Sequence, residues 1–373
     1  MKIAVDVRMS GKSGIGAFLD NLLPTLKAGA EVVEIKPPIK PFSLKETLFF
    51  PRGELKKINE CDAYFSPYCN IPGRLFSRGI KVPIFTTIHD VIFLDLPLAG
   101  KIGTLARKIF YLRAASKSRE IFTVSEFSKG RILANLKCKK PITVVHNGAP
   151  LFDGEKPAKT EKTNTIIFVG NIKAHKGIKT LIPAFLKARE ILAGQDGSQA
   201  KETAASNAYG IASDNLQAQN APRLADNLPR LLIVGSKENF RTSDTALDAL
   251  LERSENGGVE FTGFVPDEKL KDLIAQARLL VQPSLYEGFG IPPLQALYAG
   301  TRALISDIPV FKEIYAKLPV EFFKAGDADD LAAKIVQTYS EKRALPPVER
   351  IYSYQKSAKA ILKRIEQSIK MEE

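Results

Sequence analysis

A chain of 373 residues, 45% hydrophobic and 25% charged, has the length for two ordinary domains and the composition of a soluble globular protein. No uninterrupted apolar segment approaches the ~18–20 residues that a bilayer span requires. Three cysteines without metal-ligand spacing, Cys61, Cys69 and Cys138, fit a reducing cytoplasm.

The net charge of +13 is lopsided. Residues 1–150 hold 24 Lys and Arg against 12 Asp and Glu, residues 151–373 hold 30 against 29, and residues 101–140 alone hold 11 against 2. Such asymmetry speaks of a partner rather than a fold. No nucleic-acid module and no basic–aromatic ribonucleoprotein motif accompanies it, so nucleic acid is not expected. The open readings are an anionic membrane surface, a phosphate-bearing lipid acceptor, or a solvated basic face with no partner.

Residues 1–7 read as a strand rather than a signal peptide, because charges interrupt them and no cleavage site follows. The next stretch, Arg8-Met9-Ser10-Gly11-Lys12-Ser13-Gly14-Ile15-Gly16, reads as a loop ahead of a helix over about 17–27. Its glycines lack the G-x-G-x-x-G spacing of a dinucleotide loop, which disfavours a NAD(P)-dependent dehydrogenase. A loop at the C-terminal edge of a strand is still where doubly wound folds place ligands. Residues 36–57 mix basic, proline and aromatic side chains without a clean period. They read as an exposed loop with a short helix, either an acceptor or membrane contact or an ordinary connection.

Strands follow at 63–65 and 84–88, the second ending at His89-Asp90. Residues 100–118 predict an amphipathic basic helix. Leu105, Ile109, Leu112 and Ala115 share a face expected in the core, with Arg107, Lys108, Arg113 and Lys117 largely elsewhere, on the side available to a membrane. A strand at 121–124 runs into Ser125-Glu126-Phe127-Ser128-Lys129, where Ser125 can N-cap a helix. The strand at 142–145 ends at the turn His146-Asn147-Gly148. Polar residues 150–164 mark a boundary, giving domains over 1–150 and 151–352.

The second half repeats the pattern with a strand at 166–169, the turn Gly170-Asn171, a helix over 177–192, and strand–turn units at 231–235 and 259–263. Residues 194–229 have few apolar anchors and read as a flexible insertion. The apolar strand 279–281 leads through a Gly-rich turn into a helix with Pro292 and Pro293 in its first turn, where N–H groups have no intrahelical partner. Strand, glycine turn and helix N-terminus together make an anion site. Glu287 on its lip suits hydroxyls better than phosphate, so a ligand with both phosphate and sugar character is expected. A last helix over about 353–370 places Ala358, Ile361, Leu362, Ile365 and Ile369 on one face. Strand–helix alternation in both halves predicts the α/β class, with two doubly wound parallel sheets.

Several motifs now stand in order along nearly the whole chain. They are Ser13-Gly14-Ile15-Gly16, Ile88-His89-Asp90, Val124-Ser125-Glu126-Phe127-Ser128, and Phe168-Val169-Gly170-Asn171 with Lys176-Gly177. Beyond them come Thr262-Gly263-Phe264-Val265, Tyr286-Glu287-Gly288-Phe289-Gly290-Ile291-Pro292 with Gln295-Ala296, and Tyr352-Ser353-Tyr354. In this ordered set the sequence resembles the family-4 retaining glycosyltransferases of GT-B fold. The resemblance implies two Rossmann-like domains facing across a cleft. The N-terminal domain would bind the acceptor and be completed by the C-terminal helix, about 353–373, crossing back onto it. The C-terminal domain would bind a nucleotide-diphosphate sugar as co-substrate, with no cofactor, no metal, and transfer with retention.

By the same resemblance Lys176 matches a phosphate-binding lysine. Asn171 stands where an arginine is common, with Lys173 as a nearby substitute. Glu287 matches the first acid of a Glu-x7-Glu pattern and would accept hydrogen bonds from donor-sugar hydroxyls. Gln295 takes the second acid's place, where its carbonyl can accept from a ribose hydroxyl without charge assistance. Backbone N–H groups of Phe289, Gly290 and Ile291 would meet sugar and phosphate. Gly263, Phe264 and Val265 would border the base, and Gly14 and Gly16 would also serve the donor. His89 resembles the residue beside the anomeric carbon, while His146 and His175 read as turn and loop residues.

The context His89-Asp90-Val91-Ile92-Phe93 is most like enzymes adding mannose or related hexoses to surface polysaccharide. The implied activity is therefore hexosyl transfer, with GDP-mannose as the specific expectation, to a glycan or lipid-linked acceptor. The implied location is the cytoplasm, peripheral on the inner face of a membrane. Two alternatives remain open. One is a degenerate GT-B subunit or sugar-nucleotide sensor, suggested by Asn171 and Gln295. The other is a sugar-nucleotide epimerase, which would want more cleft carboxylates and histidines than the three histidines supply.

Overall fold

Two six-stranded parallel sheets organise the computed structural model, which describes residues 1–11, 13–73, 79–96, 98, 100–152, 160–207, 228–236, 250, 257–341 and 345–371. The chain divides into two units. The first is Met1–Asp153 with Glu287–Ile291 and Arg350–Glu373, and the second is Gly154–Tyr286 with Pro292–Glu349.

In the first unit the chain runs β1 (Lys2–Asp6), α1 (Ser13–Gly29), β2 (Glu31–Ile35), α2 (Leu44–Phe49), α3 (Arg52–Asn59) and β3 (Ala63–Ser66). It continues through β4 (Ile84–Thr87), α4 (Ile92–Asp95), α5 (Lys101–Lys117), β5 (Glu120–Thr123), α6 (Glu126–Leu136) and β6 (Ile142–Val144). The strand order is β2-β1-β3-β4-β5-β6. Strands β3, β4 and β5 are buried at every residue, as expected where helices cover both faces of a parallel sheet. The order reverses between β1 and β3, and such a switch point opens a crevice at the carboxyl ends of the strands.

The second unit runs β7 (Thr165–Val169), a single 3₁₀ turn Ala174–Lys176, α7 (Ile178–Asn207), β8 (Arg230–Val234), β9 (Val259–Gly263) and α8 (Asp267–Gln276). Next come β10 (Leu279–Gln282), α9 (Ile291–Tyr298), β11 (Arg302–Ser306), α10 (Pro309–Ile314), β12 (Glu321–Phe323) and α11 (Ala328–Ser340). The order β12-β11-β10-β7-β8-β9 has its switch point between β7 and β10. One core joins Ile166 and Phe168 of β7, Leu181 and Phe185 of α7, and Leu331 and Ile335 of α11.

The last helix, α12 (Tyr354–Lys370), lies against α1 in the first unit, so the expected return of the C-terminus is found. Ser353 caps it by accepting from the Lys356 N–H at 3.2 Å. Gly29 lies under the Leu362 side chain, where a Cβ would come within 2.6 Å of the Leu362 Cδ1 and that side chain would have to turn aside. The Tyr354 ring meets Phe18 edge-on at 6.1 Å. Arg364 donates from two nitrogens to the two oxygens of buried Glu120, at 2.8 and 3.0 Å.

The structure departs from the sequence expectations at three helices. Helix α1 begins at Ser13 rather than near residue 17, which moves Gly14 and Gly16 from a loop into its first turn. Helix α7 continues past residue 192 to Asn207, so the start of the expected insertion is helical; residues 208–227 lie outside the described residues. The third departure is the face of α5. Leu105, Ile109 and Leu112 are exposed rather than in the core, and of the expected stripe only Ala115 is buried. Tyr111, Ala114 and Ala115 turn inward instead, onto Ile88, Val91 and Ile121. The two small alanines let the helix backbone approach the sheet, which larger leucines on that face would prevent. Among the described residues no helix is long and apolar enough to cross a membrane.

Candidate active site

The loops at the carboxyl ends of β7, β8, β9 and β10 are tied together by backbone bonds within the second unit. Gly170 donates to the Val234 carbonyl at 2.9 Å, Gly235 to Gly263 at 3.0 Å, and Leu285 to His175 at 2.8 Å. Asn171 adds a side-chain contact, its Oδ1 accepting from the Ser236 N–H at 3.4 Å. Lys176 ends the 3₁₀ turn, and Gly177 then takes φ +73°. A Cβ on Gly177 would lie 1.9 Å from the Pro283 carbonyl oxygen. The glycine therefore lets the lysine loop sit directly on the loop after β10. Asn171 and Lys173 are exposed and Lys176 partly so, while Val265 is buried beside an exposed Phe264. Gly263 itself has φ +68°. Gln295 is buried on α9.

Residues Glu287–Ile291 belong to the first unit. Gly288 rests on the chain at His89-Asp90, where a Cβ would sit 3.1 Å from the His89 carbonyl oxygen and 3.4 Å from the Asp90 Cβ. The Gly288 carbonyl accepts from two hydroxyls, Ser125 at 2.7 Å and Ser128 at 3.3 Å. Phe289 is buried against His146 and Tyr352, with ring centroids 6.1 and 5.5 Å away. Gly290 has φ +84°, the left-handed conformation that glycine adopts without strain. Glu287 and Ile291 are partly exposed on either side of this anchored segment.

His89 is half-buried in the same unit. Its Nε2 lies 3.0 Å from the Pro67 carbonyl oxygen, and its ring meets Phe18 edge-on at 4.7 Å. A carbonyl can only accept, so Nε2 carries the proton and Nδ1 is the bare nitrogen. Burial pushes the imidazole down to about 4, against the opposing pull of the Pro67 carbonyl. The ring is therefore neutral near neutral pH. Gly16 of α1 packs on the loop before it, where a Cβ would be 2.2 Å from the Met9 carbonyl oxygen. Gly14 has nothing within 4 Å of a Cβ position. Asp20 holds that loop, accepting from the Ser10 hydroxyl at 2.6 Å and the Gly11 N–H at 2.8 Å.

The first unit thus brings His89, Phe289, Gly290 and Glu287 into one neighbourhood. The second brings Asn171, Lys173, Lys176 and Gly263 to one edge of its sheet. The sequence marks Ser125 as a helix cap and carries no local sign that Ser125 and Ser128 meet at the Gly288 carbonyl. Only their place in the motif Val124-Ser125-Glu126-Phe127-Ser128 links them to the site. His146 lies in irregular chain after β6, and its ring packs on Phe289 and Tyr352. Nothing in the sequence pointed to that.

Residues 215–367 match the family Glycosyl transferases group 1. Over 99 residues the chain is 35% identical to O-antigen chain mannosyltransferase B of Escherichia coli, covering 26% of each protein. Over 234 residues it is 26% identical to O-antigen chain mannosyltransferase RfbU of Salmonella typhimurium, covering 61% of this chain and 53% of that one. The chain therefore spans from about a quarter to about half the length of these two curated relatives. In fold it is similar to Anabaena Alr3699/HepE in complex with UDP-glucose, at 15% identity and a TM-score of 0.62 over 100% of this chain and 98% of that one. At this identity the likeness speaks for the architecture alone, the GT-B fold.

Proposed function

We propose that this chain, a group 1 glycosyl transferase of GT-B fold, is a retaining hexosyltransferase that draws mannose from GDP-mannose. The acceptor is a glycan or lipid-linked intermediate of surface polysaccharide or glycolipid synthesis. The observation that carries this reading is the Leu285 to His175 bond of 2.8 Å. It fixes the loop bearing Lys173 and Lys176 to the loop after β10, within the second unit, at the switch point where doubly wound sheets bind nucleotides. The mannosyl specificity is supported by the O-antigen mannosyltransferases among the relatives.

Transfer separates a sugar from a nucleoside diphosphate, so negative charge grows on the leaving phosphate and positive charge on the anomeric carbon. Lys176 and the N–H groups entering α9 stabilise the first. The neutral His89 ring and its carbonyl suit the second, since a protonated ring would repel it. Glu287 accepts hydrogen bonds from sugar hydroxyls and orients the donor. The acceptor hydroxyl attacks on the face from which the diphosphate departs, which keeps the anomeric configuration.

A thermal-shift panel of nucleotide sugars tests the donor, followed by transfer of labelled sugar to lipid-linked and glycan acceptors. GDP-mannose is expected to give the largest stabilisation, and Lys176→Ala is expected to cut transfer by about 10²-fold or more. Near-normal transfer by that variant would remove Lys176 from the machinery. Donor binding with no transfer to any acceptor would favour the non-catalytic sensor. Conversion of nucleotide sugar to an isomer without acceptor would favour the epimerase.

A further inference from the structure

Helix α5 turns its apolar stripe outward. At about 100° per residue, Ile102, Leu105, Ile109 and Leu112 fall within a sector roughly 80° wide, and they are 87%, 60%, 58% and 41% exposed. The buried side chains Tyr111, Ala114 and Ala115 lie on the opposite side of the helix. Lys101 and Lys108 border one edge of the outward stripe, Arg113 and Lys117 the other. The helix contains no acidic residue, and residues 101–140 hold 11 basic against 2 acidic side chains. Single apolar side chains on a surface need no explanation, whereas a continuous stripe of four large aliphatics marks a contact.

The pattern chooses between two occupants. A second copy of this chain meeting the stripe symmetrically would bring the set Lys101, Lys108 and Lys117 of one helix against the same set of the other, a like-charge contact. A bilayer carrying anionic phospholipid offers an apolar boundary to the stripe and phosphates to both edges. Lysine stems are long enough to follow the apolar surface while their ammonium groups stay at the headgroups.

We propose that the outward face of α5 lies in the surface of an anionic bilayer. Ile102, Leu105, Ile109 and Leu112 enter the acyl boundary, and Lys101, Lys108 and Lys117 pair with headgroup phosphates. The inference stands apart from the donor reading, since neither Lys176 nor His89 takes part in it.

Flotation of the full chain with vesicles of phosphatidylcholine containing about one-third phosphatidylglycerol tests it, beside vesicles of phosphatidylcholine alone. The protein is expected to float with the anionic vesicles and not with the neutral ones, and to be released as salt rises. The combined variant Ile102→Ser, Leu105→Ser, Ile109→Ser and the combined variant Lys101→Glu, Lys108→Glu, Lys117→Glu are each expected to weaken flotation at least about tenfold. Both should keep the thermal midpoint and the GDP-mannose shift of the unaltered chain, which separates lost docking from lost folding or lost donor binding. The proposal is overturned by equal flotation on both vesicles, by no flotation on either, or by undiminished flotation of the serine variant. A dimer in sedimentation that the serine substitutions dissolve would also overturn it, assigning the stripe to a second copy.

Discussion

The Ser125 hydroxyl donates to the Gly288 carbonyl at 2.7 Å while its oxygen accepts the Ser128 N–H at 3.0 Å. One buried side chain therefore both caps α6 and holds the segment that carries Glu287. Ser125→Ala is expected to cost about 1–3 kcal/mol of stability, because a cap and a buried hydrogen bond are lost together. Ser128→Ala loses only the longer hydroxyl contact of 3.3 Å and should cost less. Denaturant unfolding of both variants checks the order. Since Ser125 acts through Gly288, its variant should also lower kcat for sugar transfer more than it raises KM. A kcat equal to that of the unaltered chain would confine Ser125 to capping.

Two glycines separate what the backbone needs from what a donor would need. Gly177→Ala would place a methyl 1.9 Å from the Pro283 carbonyl oxygen at φ +73°, so a loss above about 2 kcal/mol is expected. Gly14 sits in the first turn of α1 with nothing within 4 Å of a Cβ position. Gly14→Ala should be neutral or stabilise by up to about 1 kcal/mol. If Gly14 serves the donor, the same variant loses its thermal shift with GDP-mannose despite its intact fold. An undiminished shift would take Gly14 out of the donor site.

Much of this architecture was legible because the buried strands are short apolar runs ending in glycine or polar turns, as at Ile166 to Gly170. Strand β2 was missed because Glu31 and Glu34 interrupt it, as an edge strand in partial contact with water permits. The face of α5 was misread for a physical reason. Its periodicity locates an apolar stripe at Leu105, Ile109 and Leu112 but does not say which side of the helix meets the sheet, and close approach there favoured Ala114 and Ala115. The loops carrying Lys176 and Glu287 were found by motif. The ties that hold them, Leu285 to His175 and Ser125 to Gly288, join residues 110 and 163 positions apart, a separation no local pattern reports.

His89 predicts a pH dependence of stability. Burial holds its folded pKa at about 4, below the ordinary value of 6.5. Between those values the unfolded chain binds the proton that the folded ring refuses. The stability it contributes is therefore complete above pH 6.5 and falls as the pH drops toward 4, by up to about 3 kcal/mol. His89→Gln removes the titrating group, so the difference in unfolding free energy between the variant and the unaltered chain should change across pH 6.5 to 4. A constant difference through that window would contradict the buried neutral ring.

A buried charge cluster at the carboxyl end of β1 gives the largest expected loss. Arg8 donates from Nε to Asp6 at 2.9 Å and from Nη2 to Asp6 at 2.5 Å, to the Tyr68 hydroxyl at 2.8 Å, and to Glu46. The Tyr64 and Tyr68 hydroxyls donate to Asp6 at 3.0 and 2.8 Å. Asp6 and Glu46 are wholly buried, and burial already raises the Glu46 carboxyl above its ordinary value while Arg8 opposes the rise. Arg8→Ala strips the guanidinium from both carboxylates and should cost about 3–5 kcal/mol near neutral pH. The loss should shrink on acidification. Glu46 without Arg8 titrates higher still in the folded chain than in the unfolded one, so the folded state takes up a proton first and regains stability as the pH falls through that raised value. Adding Glu46→Gln to Arg8→Ala should recover part of the loss at neutral pH and flatten its pH dependence. Urea unfolding of the single and double variants from neutral pH down to the ordinary glutamate value measures both effects. An Arg8→Ala loss that stays constant with pH would show that the carboxylates, once unpaired, do not carry the cost.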